Sequence, residues 1–223
     1  MQIRSLVIRI SALVCGLLSV CPTHADPIFV NNPSFETRPE GGLPIKCGTG
    51  CSLSPVTAGI PGWNVSGLAG ELQPGPPATT TFFDSVPDGI TVAYSNGGSI
   101  SQTVADAVQL GFTYTLSVDQ GVRNDGVPDS GMVALEIGGG ATIPALGAPA
   151  APGNWSTYTA IYIGAAADVG QSITIVLGST GAGDWDNVRL DAVVPQVVPE
   201  PGSLALLGIA FATLGLTRRR NKA

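Results

Sequence analysis

The chain has 223 residues, with 10 Lys and Arg against 16 Asp and Glu, a formal net charge of −6 and a single histidine. Six of the basic residues sit near the ends, so residues 26–198 hold only Arg38, Lys46, Arg123 and Arg189 against 15 acids. A neutralising footprint on nucleic acid is therefore not expected, because phosphate binding draws on clustered Lys and Arg. His24, the lone imidazole, falls in what reads as a leader, which removes Ser-His-Asp and Cys-His catalysis and His-ligated zinc from a processed product.

Residues 1–25 read as a secretory signal peptide. Arg4 and Arg9 precede an apolar run over 10–20, and Thr23 and Ala25 supply the small residues of a cleavage site after Ala25. The run is well short of the roughly 20 residues a spanning helix needs. Cys15 and Cys21 follow Val14 and Val20, so the small residue of a lipoprotein cut is missing.

Residues 26–192 read as one all-β domain. Residues 26–198 contain 26 Gly and 15 Pro, too many for a helical body. Apolar residues recur with period two: Phe112, Tyr114, Leu116 and Val118 alternate with polar neighbours, as do Ile173, Ile175 and Leu177, and Val188, Leu190 and Ala192. Further strands are predicted at 28–31, 61–66, 79–84, 90–95, 99–104, 131–137 and 155–163. Pro87-Asp88-Gly89, Asn96-Gly97-Gly98 and Asn124-Asp125-Gly126 supply turn signals between them. About nine or ten short strands without an amphipathic helix predict a two-sheet antiparallel β-sandwich of jelly-roll form. Residues 138–153 are a low-complexity loop and 193–198 a linker.

Cys47 and Cys51 are the thiols that remain after the leader. In an exported chain, C-x3-C among Gly, Pro and Ser reads as a local disulfide pinning a loop. The spacing is not that of a C-x-x-C redox motif, and a four-thiolate zinc site lacks its second pair.

Glycoside cleavage is chemistry open to a carboxylate-rich domain without histidine, since it needs two positioned carboxyls, one kept protonated. Asp119, Asp125, Asp129, Glu136, Asp184 and Asp186 are available, but most sit beside Gly, Pro or Asn, where water is the expected environment. No pair is assigned a catalytic role, and the domain is expected to be non-enzymatic. Sugar binding would use exposed aromatics whose faces match the C–H faces of pyranoses. Trp155 and Trp185 are the candidates, whereas Trp63 after Pro61-Gly62 is expected to be packed.

At the C-terminus, Val198-Pro199-Glu200-Pro201 is followed by an uncharged run over 203–217 and then Arg218-Arg219-Arg220. The run is a short transmembrane helix, with the basic cluster on its cytoplasmic side and the acidic body outside. These three parts, in this order, resemble the PEP-CTERM sorting signal (199–223) of Gram-negative bacteria that make exopolysaccharide. The resemblance implies an exosortase, a membrane protease-transpeptidase, as partner. Val198, Pro199, Glu200 and Pro201 would be its recognition residues, and the destination would be the cell envelope, outer surface or extracellular matrix. The alternative is a plain C-terminal anchor.

A second resemblance spans the middle. Phe29-Val30-Asn31-Asn32-Pro33-Ser34-Phe35-Glu36, Ile60-Pro61-Gly62-Trp63, Ser99-Ile100-Ser101-Gln102-Thr103-Val104 and Asp184-Trp185-Asp186-Asn187-Val188-Arg189-Leu190 are similar to landmarks of the galactose-binding-like jelly roll of carbohydrate-binding modules. This implies contact with extracellular polysaccharide and a structural Ca2+ ion held by Glu36 and Asp186, tying the first and last strands together. Read from the residues alone, Glu36 is equally a solvated loop carboxylate and Asp186 a turn former. Pro33 stands where that family often has Gly.

Overall fold

The computed structural model describes residues 25–47, 50–74 and 82–194. The leader before Ala25, the linker beyond Val194, the sorting motif Val198-Pro199-Glu200-Pro201 and the predicted helix 203–217 lie outside the described residues. No helix among the described residues is long and apolar enough to cross a membrane.

The all-β, two-layer antiparallel sandwich expected from the sequence is the observed architecture. Its strands are β1 (Ala25–Ile28), β2 (Ile45–Cys47), β3 (Cys51–Leu53), β4 (Asn64–Gln73), β5 (Val92–Ala107), β6 (Thr113–Gly121), β7 (Gly131–Ile137), β8 (Ala141–Pro144), β9 (Trp155–Ile163) and β10 (Ser172–Val193), with a 3-10 turn at Ala166–Asp168. β10 is the axis. Residues 173–179 lie between β7 and β5. Residues 184–193 lie against β6, with β5 and then β1 on the other side.

β4, β5 and β10 all bend at one level. Register shifts fall at Gly67/Ala69 in β4 and Ser179/Ala182 in β10, on either side of Asn96-Gly97-Gly98 in β5. Each of these strands therefore serves both layers. One layer holds 64–67, 98–107, 172–179, β7 and β8; the other holds 69–73, 92–96, 182–193, β1, β2, β3, β6 and β9. The bend brings two backbones together: a Cβ on Gly98 would lie 2.5 Å from the Ser66 carbonyl oxygen, and one on Gly67 2.8 Å from the Gly97 carbonyl oxygen.

The predicted strands 131–137 and 155–163 coincide with β7 and β9. The predicted pairs 90–95 with 99–104, and 173–177 with 188–192, are in each case one continuous strand. Asn96-Gly97-Gly98 thus marks a corner where a strand changes layers. Residues 82–84 are not a strand, and 141–144, within the predicted loop, pair with β7.

Alternation places Tyr114, Leu116 and Val118 of β6 inward with Ile173, Ile175 and Leu177 of β10, Ile100 of β5 and Leu135 of β7. Each fully buried aliphatic side chain contributes about 1.5–3 kcal/mol relative to exposure. A smaller cluster of Cys51, Leu72, Phe83, Val92 and Tyr94 sits on the outer face of the second layer.

Candidate functional site

Both carboxylates expected to hold a cation converge on residues 88–91. Glu36 Oε1 accepts the backbone N–H groups of Ile90 and Thr91, each at 2.7 Å. Asp186 Oδ2 accepts the Asp88 N–H at 2.9 Å, its Oδ1 accepts that of Asn187 at 2.7 Å, and the Ser34 hydroxyl donates to Asp88 Oδ2 at 2.7 Å. Two residues in the left-handed region aim these groups: Phe35 (φ 56°) precedes Glu36 and Asn187 (φ 53°) follows Asp186. For a bulky residue such as Phe35 that conformation is strained. It is held by complete burial of the ring against Trp63, centroids 5.4 Å apart. Gly89, at φ +68°, passes so close to Glu36 that a Cβ there would lie 2.3 Å from Oε1. Among the described residues no group of three His, Cys, Asp or Glu side chains is disposed to hold a metal ion. A hard cation here would depend on Glu36, Asp186 and backbone oxygens.

The carboxyls expected in water are not all there. Asp184 and Asp186 are buried, and Asp119 nearly so. Burial pushes Asp186 up to about 8 against the opposing effect of its amide partners. It pushes Asp184 up to about 7, with Arg123 opposing and Asp129 and Asp125 adding to the rise. The reason lies in the register. Asp184 sits opposite Tyr94 of β5 on one side and Gly121 of β6 on the other. The space a Gly121 side chain would fill is taken by the rings of Phe83 and Trp155. Asp184 is thus a carboxyl on an aromatic floor, and its Oδ1 meets no hydrogen-bond partner among the described residues.

Trp155 and Trp185 separate. Trp185 points inward from β10 and is 0% exposed, so it offers no face to a sugar; the expectation of a stacking platform there is corrected by its place in the core. Trp155 is half-buried, 4.5 Å from the Phe83 ring, with its indole N–H donated to the Ser85 carbonyl at 2.8 Å. Trp63 is packed, as expected. Cys47 and Cys51 are joined as a disulfide, and it closes the β2–β3 hairpin.

Sequence reasoning passed over two features. The first is Glu71 of β4, 0% exposed, with neither carboxyl oxygen in a well-formed hydrogen bond among the described residues; burial pushes it up to about 8, against the opposing pull of the nearby Asn32 amide and Arg38. It faces inward opposite Ala93, and its diagonal neighbours Thr91 and Ser95 also carry unpartnered buried hydroxyls. The signal was available: Glu71 is the lone charged residue between Lys46 and Asp84.

The second is an open face. On the outer side of the second layer, Thr159, Ser117 and Arg189 form one cross-strand row, and Ile161, Thr115, Asp191 and Pro27 the next. Asp119 joins the upper end, accepting the Thr157 hydroxyl at 2.6 Å and the Asn187 amide at 2.8 Å, with Arg189 3.8 Å away. Beside it opens a cleft of about 530 Å³ lined by Pro27, Phe29, Val30, Pro33, Arg189 and Asp191. The cleft exists because Ile28 pairs with Leu190 and the Val188 N–H donates to the Pro33 carbonyl, so residues 29–32 bow away from β10 opposite Arg189 alone. Gln102 of β5 holds the bow, accepting the Asn31 N–H at 2.7 Å and donating to its carbonyl at 2.9 Å.

With this geometry in hand, residues 26–191 match the family described as HpiC1-like, HpiC1 cyclase, and residues 197–220 match the PEP-CTERM protein-sorting motif. The chain belongs to the HpiC1-like family. The sorting motif marks the HpiC1-like domain as the body of an exported, envelope-associated protein. No curated protein matches the sequence. Among solved structures, the CBM22-1 xylan-binding domain of Paenibacillus barcinonensis Xyn10C is 15% identical, over 79% of this chain and 100% of that one, at a TM-score of 0.44. TmCBM61, solved in complex with β-1,4-galactotriose, is 16% identical over 73% and 97%, at 0.41. The CBM22-1–GH10 modules of Clostridium thermocellum xylanase 10B, complexed with xylohexaose, are 15% identical over 63% and 28%, at 0.41. Likeness of this order identifies no ligand for the HpiC1-like domain.

Proposed function

We propose that this protein is a non-enzymatic, glycan-contacting β-sandwich of the cell envelope or exopolysaccharide matrix of a Gram-negative bacterium, delivered as an exosortase substrate. The observation that carries the reading is the pairing of a PEP-CTERM motif at 197–220 with a body whose second sheet leaves a face of hydroxyl groups, Arg189 and Asp191 uncovered. Delivery has a direct test. Mass determination of the protein recovered from the cell surface is expected to show loss of everything beyond the Val198-Pro199-Glu200-Pro201 region. A tail retained in full reduces the motif to a plain membrane anchor.

Structural Ca2+ at Glu36 and Asp186 belongs to the same proposal. What supports it is the convergence of two carboxylates from opposite ends of the chain on residues 88–91, one of them buried. A cation there would favour the ionised form of Asp186, offsetting the burial that keeps it neutral, and hold the first and last strands together.

A second reading is favoured by Asp184 together with the family's name, which is that of a cyclase. A carboxyl held near pH 7 on a floor of Tyr94, Phe83 and Trp155 is suited to giving a proton to an apolar substrate. Side-chain carbon NMR is expected to show Asp184 titrating close to neutrality; titration near 4 removes this reading.

A further inference from the structure

We propose that the cleft between residues 27–33 and β10 is a subsite for a neutral glycan, with a sugar ring stacked on Phe29 and its hydroxyls hydrogen-bonded by Arg189 and Asp191. The inference rests on the glycan-contacting reading above and gives it a place and a ligand class.

Phe29 is 76% exposed, the one aromatic side chain among the described residues left so open. Its neighbours in sequence, Ile28 and Val30, are buried. The ring is turned outward between two inward-facing neighbours, just beyond the end of β1, on the bow that Gln102 fastens. The volume of the cleft, about 530 Å³, falls within the range of small-ligand sites, roughly 300–1,000 Å³. Pro27, Val30 and Pro33 make its apolar wall, matching the C–H face of a pyranose.

Arg189 and Asp191 lie two residues apart on β10 and so project to the same face. One offers a fork of donors, the other two acceptor oxygens, which is the pair a vicinal diol needs. Asp119, 3.8 Å from the guanidinium, limits where Arg189 can swing. Beyond the cleft, the row of Arg189 continues through the Ser117 and Thr159 hydroxyls, and the row of Asp191 through the Thr115 hydroxyl to the exposed Ile161, across β6 and β9. At about 4.8 Å between strands, the face from β1 to β9 extends roughly 14 Å, enough for a short run of sugars.

Charge selects the class. The cleft holds one base and one acid, and residues 26–198 carry 15 acids against four bases. A polyuronate would meet repulsion over the whole body with one guanidinium to offset it. A neutral glycan meets none.

The test is binding of the full chain, in mild detergent, to laminarin, galactomannan and arabinoxylan as neutral probes and to alginate as the anionic one, by affinity electrophoresis and thermophoresis. Wild type is expected to bind at least one neutral polymer and not alginate. Phe29→Ala and Arg189→Ala are each expected to weaken that binding at least tenfold with an unchanged melting temperature, while Phe29→Trp retains it. Wild-type binding to a neutral polymer that survives Phe29→Ala overturns the subsite and leaves the glycan-contacting reading in place. Preference for alginate overturns the neutral class, and wild type that binds none of the four overturns subsite and reading together.

Discussion

Glu71 shows how a single side chain couples this fold to pH. Its carboxyl is fully buried, and burial outweighs the nearby Asn32 amide and Arg38 to raise it to about 8. An acid whose folded-state value is raised contributes stability that is fully present below its ordinary value of about 4.5 and is lost as pH rises through about 8. Asp184 and Asp186, raised to about 7 and about 8, act in the same direction. The wild-type melting temperature should therefore fall between pH 5 and pH 9, and Glu71→Gln should fall less, ending higher at pH 9 by roughly 2–4 °C for each kcal/mol regained. Parallel curves for the two proteins in a calorimetric pH series would refute this role of Glu71. The residue scale was also where reading the chain went most astray. Trp155 of β9 and Trp185 of β10 look alike in sequence, yet one borders an aromatic floor and the other fills the core, and the inward direction of Trp185 is settled by the register of β10. A bulge between Asp186 and Arg189 shifts that register, and nothing local in the sequence announces it.

At the level of strands, period-two alternation was legible wherever a strand stays in one layer, as in β6, β7 and β9. It failed where a strand crosses the corner. Gly-rich stretches in β5 and β10 carry the same composition as turns, and only pairing with a neighbour that bends at the same level distinguishes a corner from a hairpin. The short hairpin of β2 and β3 was foreseen as a disulfide-pinned loop, its strands too brief to show a period. The corner makes a sharp comparison possible. Gly98→Ala places a methyl group against the Ser66 carbonyl and the Leu68 amide and should cost about 1–3 kcal/mol, read as a drop in melting temperature. Gly140→Ala, where nothing lies within 4 Å, should leave the melt unchanged. Equal effects at the two positions would mean that the corner tolerates separation of β4 from β5.

For the molecule as a whole, closure depends on groups far apart in sequence meeting at residues 88–91. Glu36 and Asp186 are separated by nearly the length of the body, and the landmarks containing them were legible, whereas their shared partner loop was not. If Ca2+ joins them, chelation with EGTA should lower the melting temperature by several degrees, with recovery on adding CaCl2. Glu36→Ala should abolish the response, and affinity should strengthen from pH 6 to pH 9 as Asp186 gives up its proton. A melt indifferent to EGTA would leave the hydrogen bonds alone as the closure.

β10 ends at Val193, beside Ala25, on the side from which the sorting segment departs. Traction applied through an envelope attachment would enter the body along this strand. Because β10 has neighbours on both flanks over most of its length, the force would be met as shear across several ladders at once, and peeling of an outlying strand would contribute little. A pull on the C-terminal end would thus be carried through the central strand of the body.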